Sequence, residues 1–396
     1  MMRPQLVIAP GREKAILRRH PWVFSGAVTR TTGQPQEGDL VDVVGPDGQW
    51  MATGHYQNDT IVCKVLSFDT PQIDGDFFRR RLQSAVDYRR RMGFFSMPDT
   101  DVFRLVHAEG DYLPGLVCDW YNGVLVMQAH SVGMHRAFPM LVELLADMLK
   151  PYGLAAIFDK SGATLPTAPA DGYIYGIEPP EWEIREHGNR MLINFYEGQK
   201  TGFFIDQREN RRLVQTLAGG HRVLNCFGYT GGFSLAALRG GAERVETVDI
   251  SRKAIELCNR NVALNFGDDA PHRGTVADVM QYMGKENHGQ VEGFDFIILD
   301  PPAFAKNHRA LQQGLKGYRA INQRALEVLP AGGLLMTFSC SQAVSRDDFQ
   351  TMLFTAAMNA RRRVRIIRRL PHAPDHPVSI HHPEGEYLKG LLLQVC

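Results

Sequence analysis

Cys340 stands in Thr337-Phe338-Ser339-Cys340-Ser341, at the end of an apolar run that follows the Gly332-Gly333 turn. A thiolate is the reactive form of cysteine and a strong nucleophile near neutral pH. Most lone cysteines are inert core residues. This one closes a strand, one strand away from Asp300, and that place favours a reactive role. Pyrimidine C5 is a poor nucleophile by itself. A thiolate adding to C6 makes C5 enamine-like and able to attack a sulfonium methyl, and β-elimination then frees the thiol. Cys340 is therefore the expected catalytic nucleophile. A second chemical feature is Asp300-Pro301-Pro302-Ala303-Phe304-Ala305-Lys306. Two prolines fix φ and remove N–H donors, which makes a rigid loop. Phe304 on that loop is suited to stacking on a flipped base. Pro301, Pro302 and Lys306 are expected on the substrate side, and Asp300 is a candidate to take the C5 proton.

These groups need a donor beside them, and the run Arg222–Leu238 supplies a place for one. Val223 and Leu224 begin a buried strand, a turn follows through Phe227-Gly228-Tyr229-Thr230-Gly231-Gly232, and an apolar helix resumes at Phe233. A strand, a glycine turn and a helix N-terminus make a site for a nucleotide-like ligand. The spacing Gly228-x-x-Gly231-Gly232 lacks the close first pair of a dinucleotide fingerprint. A pyrophosphate is less suited to it than a nucleoside with an amino-acid tail, and S-adenosylmethionine fits. Asp249 closes the next strand, 18 positions after Gly231, near the ~20-residue offset at which an acid takes a ribose hydroxyl. Asp278 follows Thr275-Val276-Ala277 and is expected at the adenine amino group, and Asp300 follows the run Phe294–Leu299. Each aspartate alone is more often a helix cap or turn former. Three at successive strand ends place carboxylates along the edge where open α/β sheets bind ligands.

The whole chain of 396 residues has room for two or three domains, with 44% apolar and 22% charged residues. No run of ~18 apolar residues predicts a membrane span, and the apolar core of the N-terminus is too short for a signal peptide. The six cysteines (63, 118, 226, 258, 340 and 396) contain no CxxC pair. That argues against zinc sites and disulfides and for reduced, cytoplasmic thiols. Cys226 lies inside its strand and is expected in the core. Net charge is only +1, so nucleic-acid binding must come from local patches. One such patch is a short helix expected over 12–19, carrying Arg12, Lys14, Arg18 and Arg19 beside Trp22 and Phe24. Cations next to aromatics suit RNA, although Trp22 and Phe24 also read as core of a small barrel. The helix expected over 74–93 carries the triplets Arg79–Arg81 and Arg89–Arg91, suited either to a phosphate backbone or to solvent. A hairpin is expected at Asn122-Gly123, a helix over 134–150, and a loop over 161–170. His372, His376, His381 and His382 fit no ligand spacing, so no metal is expected.

Gly11-Arg12-Glu13-Lys14 through His20-Pro21-Trp22-Val23-Phe24-Ser25-Gly26 resembles the opening of the PUA domain in the ribosomal RNA large-subunit methyltransferase I family. Glu109–Leu116 with Asp119, Gln199–Arg208, Asn225–Phe233, Asp300–Phe304, Phe338–Ser341, Asp375-His376-Pro377 and Pro383–Gly390 are also in family-like form. The resemblance implies an α/β chain in three parts: a β-rich PUA-like pseudobarrel (1–72), a small α/β middle domain (73–180) and a class I, Rossmann-like methyltransferase domain with a mostly parallel sheet (181–396). It implies methylation of cytosine C5 in 23S ribosomal RNA with S-adenosylmethionine. The Asp-Pro-Pro loop lacks the second cysteine of many related enzymes, as in this family, which leaves the base for the C5 proton open. The expected partners are 23S ribosomal RNA or its large-subunit precursor and a second copy in a homodimer, with no membrane and no metal. Two other readings stay open: methylation of an exocyclic base nitrogen, suggested by the Asp-Pro-Pro-aromatic loop, and a non-catalytic RNA-binding or ribosome-assembly factor.

Overall fold

The computed structural model describes residues 3–165, 168–178 and 181–396. Residues 166 and 167 of the expected loop lie outside the described residues, as do 179 and 180 at the expected domain boundary. The chain divides into two compact units. One comprises Met1–Ile184, Ile193–Ile205 and Pro374–Gly385, and the other Arg185–Leu192, Asp206–Ala373 and Glu386–Cys396.

The first unit opens with six strands: β1 (Gln5–Ile8), β2 (Trp22–Phe24), β3 (Val28–Thr32), β4 (Leu40–Val44), β5 (Trp50–Tyr56) and β6 (Ile61–Ser67). They form one sheet in the order β2-β6-β5-β4-β1-β3, in which only β1 and β4 run parallel. Alternation along β1 sends Leu6 and Ile8 into a core with Val41, Val43 and Cys63. The basic helix is shorter than expected: α1 covers only Lys14–Leu17, anchored by Ile16. Helix α2 (Gly75–Arg91) begins where Asp74 accepts the Phe77 N–H at 2.9 Å. Phe78, Leu82, Ala85 and Val86 recur at helical spacing and bury one face.

That face belongs to a second core, with β7 (Val102–His107), β8 (Leu116–Tyr121), β9 (Val124–Ala129) and β10 (Ala156–Asp159), and the more exposed β11 (Gly172–Gly176) extends the same sheet beside β10. The hairpin at Asn122-Gly123 forms with both residues at positive φ, as the right-handed strand twist requires. The helix expected over 134–150 is two helices, α3 (Val132–Arg136) and α4 (Phe138–Leu149), because Pro139 in the first turn of α4 cannot continue α3. Of the second arginine triplet, Arg90 and Arg91 are exposed, but Arg89 departs from the expectation. Arg89 is fully buried, forks onto Asp111 at 2.5 and 2.9 Å and donates to the Arg104 and Asp375 carbonyls, so it does not face phosphate.

The hairpin of β12 (Trp182–Glu186) and β13 (Asn189–Ile193) lies where the chain passes from unit to unit. The second unit then alternates: α5 (Arg208–Leu217), β14 (Arg222–Cys226), α6 (Gly232–Arg239), β15 (Arg244–Asp249), α7 (Arg252–Phe266), β16 (His272–Val276), α8 (Val279–Tyr282), α9 (His288–Val291), β17 (Phe296–Leu299), α10 (Leu311–Val328), β18 (Leu334–Ser339), α11 (Arg346–Asn359), β19 (Val364–Leu370) and β20 (Lys389–Val395). The sheet order is β16-β15-β14-β17-β18-β20-β19, parallel up to β18 and antiparallel at β20 and β19. All four residues of β17 and all six of β18 are buried, as strands covered on both faces must be. Of the arginines of 361–369, Arg365, Arg368 and Arg369 lie exposed on the edge strand β19, where charge discourages further pairing, and Arg361–Arg363 precede it. Strand order reverses between β14 and β17, and a crevice at such a switch point opens at the carboxyl ends of the strands. Among the described residues, no helix is long and apolar enough to cross a membrane.

Candidate active site

The glycine turn lies at that switch point. Phe227 (φ 58°), Tyr229 (φ 47°) and Gly231 (φ 87°) are all left-handed, which curls the backbone between β14 and α6. A Cβ on Gly231 would lie 2.4 Å from Cys258 Sγ, and one on Gly228 would lie 2.3 Å from Thr247 Cγ2. Both glycines are thus required by close packing against β15 and α7. The Thr230 carbonyl accepts from the buried Asn261 side chain at 3.1 Å, which fixes the turn from behind. Gly231 caps α6 without a side chain, so the first-turn N–H groups of α6 are left directed at the turn. Gly231→Ala is expected to cost about 2–4 kcal/mol of stability, from left-handed strain plus overpacking. Urea denaturation checks the cost, and calorimetry should show nucleoside binding weakened with it.

Asp249 is the last residue of β15. Its carboxylate accepts the Tyr229 N–H at 2.9 Å and the Ser251 N–H at 2.8 Å, tying the strand end to the turn. A carboxylate has about four acceptor positions, so two bonds leave capacity for ribose hydroxyls. Asp278 caps α8 by accepting the Gln281 N–H at 3.0 Å. Asp300 directly follows β17 and is half-buried. The three aspartates do share the carboxyl edge of one sheet. Two of them also do the capping and turn-forming that a single aspartate usually does.

Cys340 directly follows β18 and is half-buried, with its Sγ 3.9 Å from the Pro301 carbonyl oxygen. The nucleophile and the Asp-Pro-Pro loop expected from the sequence are therefore adjacent. Cys63, Cys118, Cys226 and Cys258 are buried, and burial pushes each thiol well up from its ordinary value. Cys226 is in the core as expected. On the loop, Pro301 is buried, Pro302 and Lys306 are exposed, and Phe304 is half-buried. The Phe304 ring centre lies 4.7 Å from that of Tyr318 and 6.3 Å from that of Phe227.

Two residues that the sequence did not single out for a role hold this arrangement. The Tyr318 hydroxyl, buried on α10, is 2.8 Å from Ser341 Oγ, receives the Phe304 N–H at 3.3 Å and lies 3.4 Å from the Pro302 carbonyl. It stitches the loop to the segment bearing Cys340. Lys389, 6% exposed, donates from Nζ to the Ser341 carbonyl at 2.6 Å. Burial lowers its pKa to about 8, while charge on Cys340 and Glu386 acts to raise it. A lysine opening an otherwise apolar strand was the signal available for it.

In the first unit, Arg12, Lys14 and Arg18 are exposed, whereas Arg19 pairs with Asp69 at 2.7 Å. Phe24 is exposed and Trp22 half-buried, with its Nε1–H donating to Glu109 at 2.8 Å. His20, His382 and Glu384 bring one ligand-type atom each to within 4.8 Å of one another. The separation of 364 positions from His20 to Glu384 kept that group invisible to sequence spacing.

Residues 103–393 match the family described as S-adenosylmethionine-dependent methyltransferase, and residues 6–68 match a PUA-like domain. Ribosomal RNA large subunit methyltransferase I of Tolumonas auensis is 40% identical over 403 residues, covering 99% of this chain and 100% of that protein. The protein of the same name from Klebsiella pneumoniae strain 342 is 38% identical over 399 residues, covering 99% and 98%. A Streptococcus mutans structure described as a methyltransferase shares the fold at TM-score 0.85 and 22% identity, covering 99% of this chain and 100% of that one. A second solved structure, described as a methyltransferase complexed with SAH, aligns at TM-score 0.86 and 22% identity, covering 99% of this chain and 100% of that one.

Proposed function

The chain belongs to the ribosomal RNA large-subunit methyltransferase I family and is an S-adenosylmethionine-dependent methyltransferase, and from that premise we propose that it methylates C5 of a cytosine in 23S ribosomal RNA through a transient bond to Cys340. The observation that carries this reading is a half-buried sulfur at the carboxyl end of β18, 3.9 Å from the loop that follows Asp300. When bound, S-adenosylmethionine supplies a sulfonium methyl group. The residues fit such a group: a left-handed turn through 227, 229 and 231, helix N–H groups at 232–234, and an Asp249 carboxylate with acceptor capacity left. In this reading Phe227, Gly228, Thr230, Gly231, Gly232, Asp249, Asp278 and Asp300 surround the cofactor.

The Cys340 thiolate adds to C6, forming a carbon–sulfur bond and moving the C5=C6 pair toward C5. C5 then takes the methyl group. The C5 proton leaves to a base, for which Asp300 is the candidate, and the C6–S bond breaks with its pair returning to sulfur. Pro301, Pro302, Phe304 and Lys306 meet the target nucleotide, and Arg12, Lys14, Arg18 and Arg19 hold RNA by its phosphates. The parts 1–72, 73–180 and 181–396 divide these tasks.

RNA carrying 5-fluorocytidine tests the reading, because fluorine at C5 cannot leave as a proton and the adduct persists. A denaturation-stable protein–RNA complex that forms only with S-adenosylmethionine and maps to Cys340 is expected. Steady methylation of an exocyclic nitrogen without any adduct would refute it. Mapping modified cytosines in 23S ribosomal RNA from cells lacking the protein identifies the target.

A further inference from the structure

We propose that Lys389 is a positioning residue for the reaction at Cys340: its buried ammonium holds the neighbouring thiol in the thiolate form. The inference rests on the reading of Cys340 as nucleophile.

Strands β18 and β20 pair antiparallel with Ser339 opposite Lys389, so the lysine lies directly across from the residue before Cys340. Its side chain reaches the carbonyl of the residue after Cys340, Ser341. The lysine is thus tied by pairing to the residue before the sulfur and by its ammonium to the residue after it. It has three donors, and one is used on that carbonyl. Among the described residues Lys389 forms no ion pair, although it is 94% removed from solvent by its 6% exposure. A buried cation without a counter-charge is costly. A methionine or glutamine would suit an apolar strand better unless an anion forms nearby. The surrounding charges do not supply a dedicated one. Glu386 is already paired with Arg346, Arg369 donates to Gln350, and the Tyr318 hydroxyl faces Ser341. Cys340, by contrast, sits between Ser339, the cross-strand partner of Lys389, and Ser341, whose carbonyl the ammonium holds, so a charge forming on its sulfur would favour the charged lysine. The thiol proton leaves to solvent, the electron pair stays on sulfur beside the ammonium, and after elimination from C6 the same pair returns there.

The test is the rate at which iodoacetamide alkylates Cys340 in the full-length protein, followed peptide by peptide by mass spectrometry across a pH series. Lys389→Met should slow Cys340 alkylation at neutral pH by about tenfold or more. Lys389→Arg should stay within about twofold of the parent, since it keeps the charge. The exposed Cys396 is the internal control and should not change. Because Lys389 gives up its proton near pH 8, the difference should be full below that value and fade above it. Equal Cys340 rates in the parent and Lys389→Met overturn the proposal. Should Lys389→Met fail to fold, the parent decides alone: Cys340 must reach half-maximal reactivity at lower pH than N-acetylcysteine, and an equal or higher midpoint overturns the role. Neither RNA nor S-adenosylmethionine enters this experiment. Methyl transfer surviving in Cys340→Ala would remove the nucleophile, whereas unchanged alkylation in Lys389→Met beside an inactive Cys340→Ala would remove only the lysine.

Discussion

Cys340→Ala should lower methyl transfer by on the order of 10⁴-fold or more, the scale of removing a covalent nucleophile, while S-adenosylmethionine affinity stays within about twofold. The two readouts separate because the sulfur follows β18 next to Pro301, whereas the glycine turn is built from β14, α6 and packing against Thr247 and Cys258. The change removes only a long 3.9 Å sulfur contact to the Pro301 carbonyl among the contacts described above, and the Ser341–Tyr318 hydrogen bond does not involve the sulfur. Stability should therefore hold. Single-turnover transfer to a 23S ribosomal RNA fragment and calorimetric cofactor titration measure the pair. Transfer within about tenfold of the parent would mean that no carbon–sulfur adduct is needed, and would favour an exocyclic nitrogen as the target.

Arg89→Met should destabilise the protein by about 3–5 kcal/mol, the range found when one partner of a buried ion pair is removed. Arg89 is 0% exposed and Asp111 is 7% exposed. The substitution leaves the Asp111 carboxylate with the His107 N–H but without its counter-charge, and removes the donor to the Asp375 carbonyl. The Asp375 side chain also accepts the Arg104 N–H at 2.8 Å, so two links to the 374–385 segment share this corner. Adding Asp111→Asn to Arg89→Met should restore part of the loss, because a neutral amide no longer leaves a buried charge. The urea midpoint with unchanged slope is the measurement. A loss below about 1 kcal/mol would place Arg89 with ordinary surface arginines.

Local patterns were readable from the chain because their causes are local. The apolar runs of β14, β17 and β18, the glycines of the 228–232 turn and the paired prolines after Asp300 each constrain the backbone next to them. Asp249 followed from the regular offset of one βαβ step. Arg89 shows where such reading stops. An arginine triplet on a helix looks the same whether it faces solvent or lies against Asp111, 22 residues away, and Asp375, 286 residues away.

The sequence by itself determined the alternation of strand and helix, the glycine turn and the identity of the residues at the strand ends, since spacing and side-chain type suffice for these. Only the tertiary structure decided that Cys340 meets Pro301, that Tyr318 ties Phe304 to Ser341, and that Lys389 is buried beside them. Those contacts depend on which strands become neighbours. The insertion of β20 next to β18 is settled by packing of the whole sheet, and no short stretch of residues encodes it.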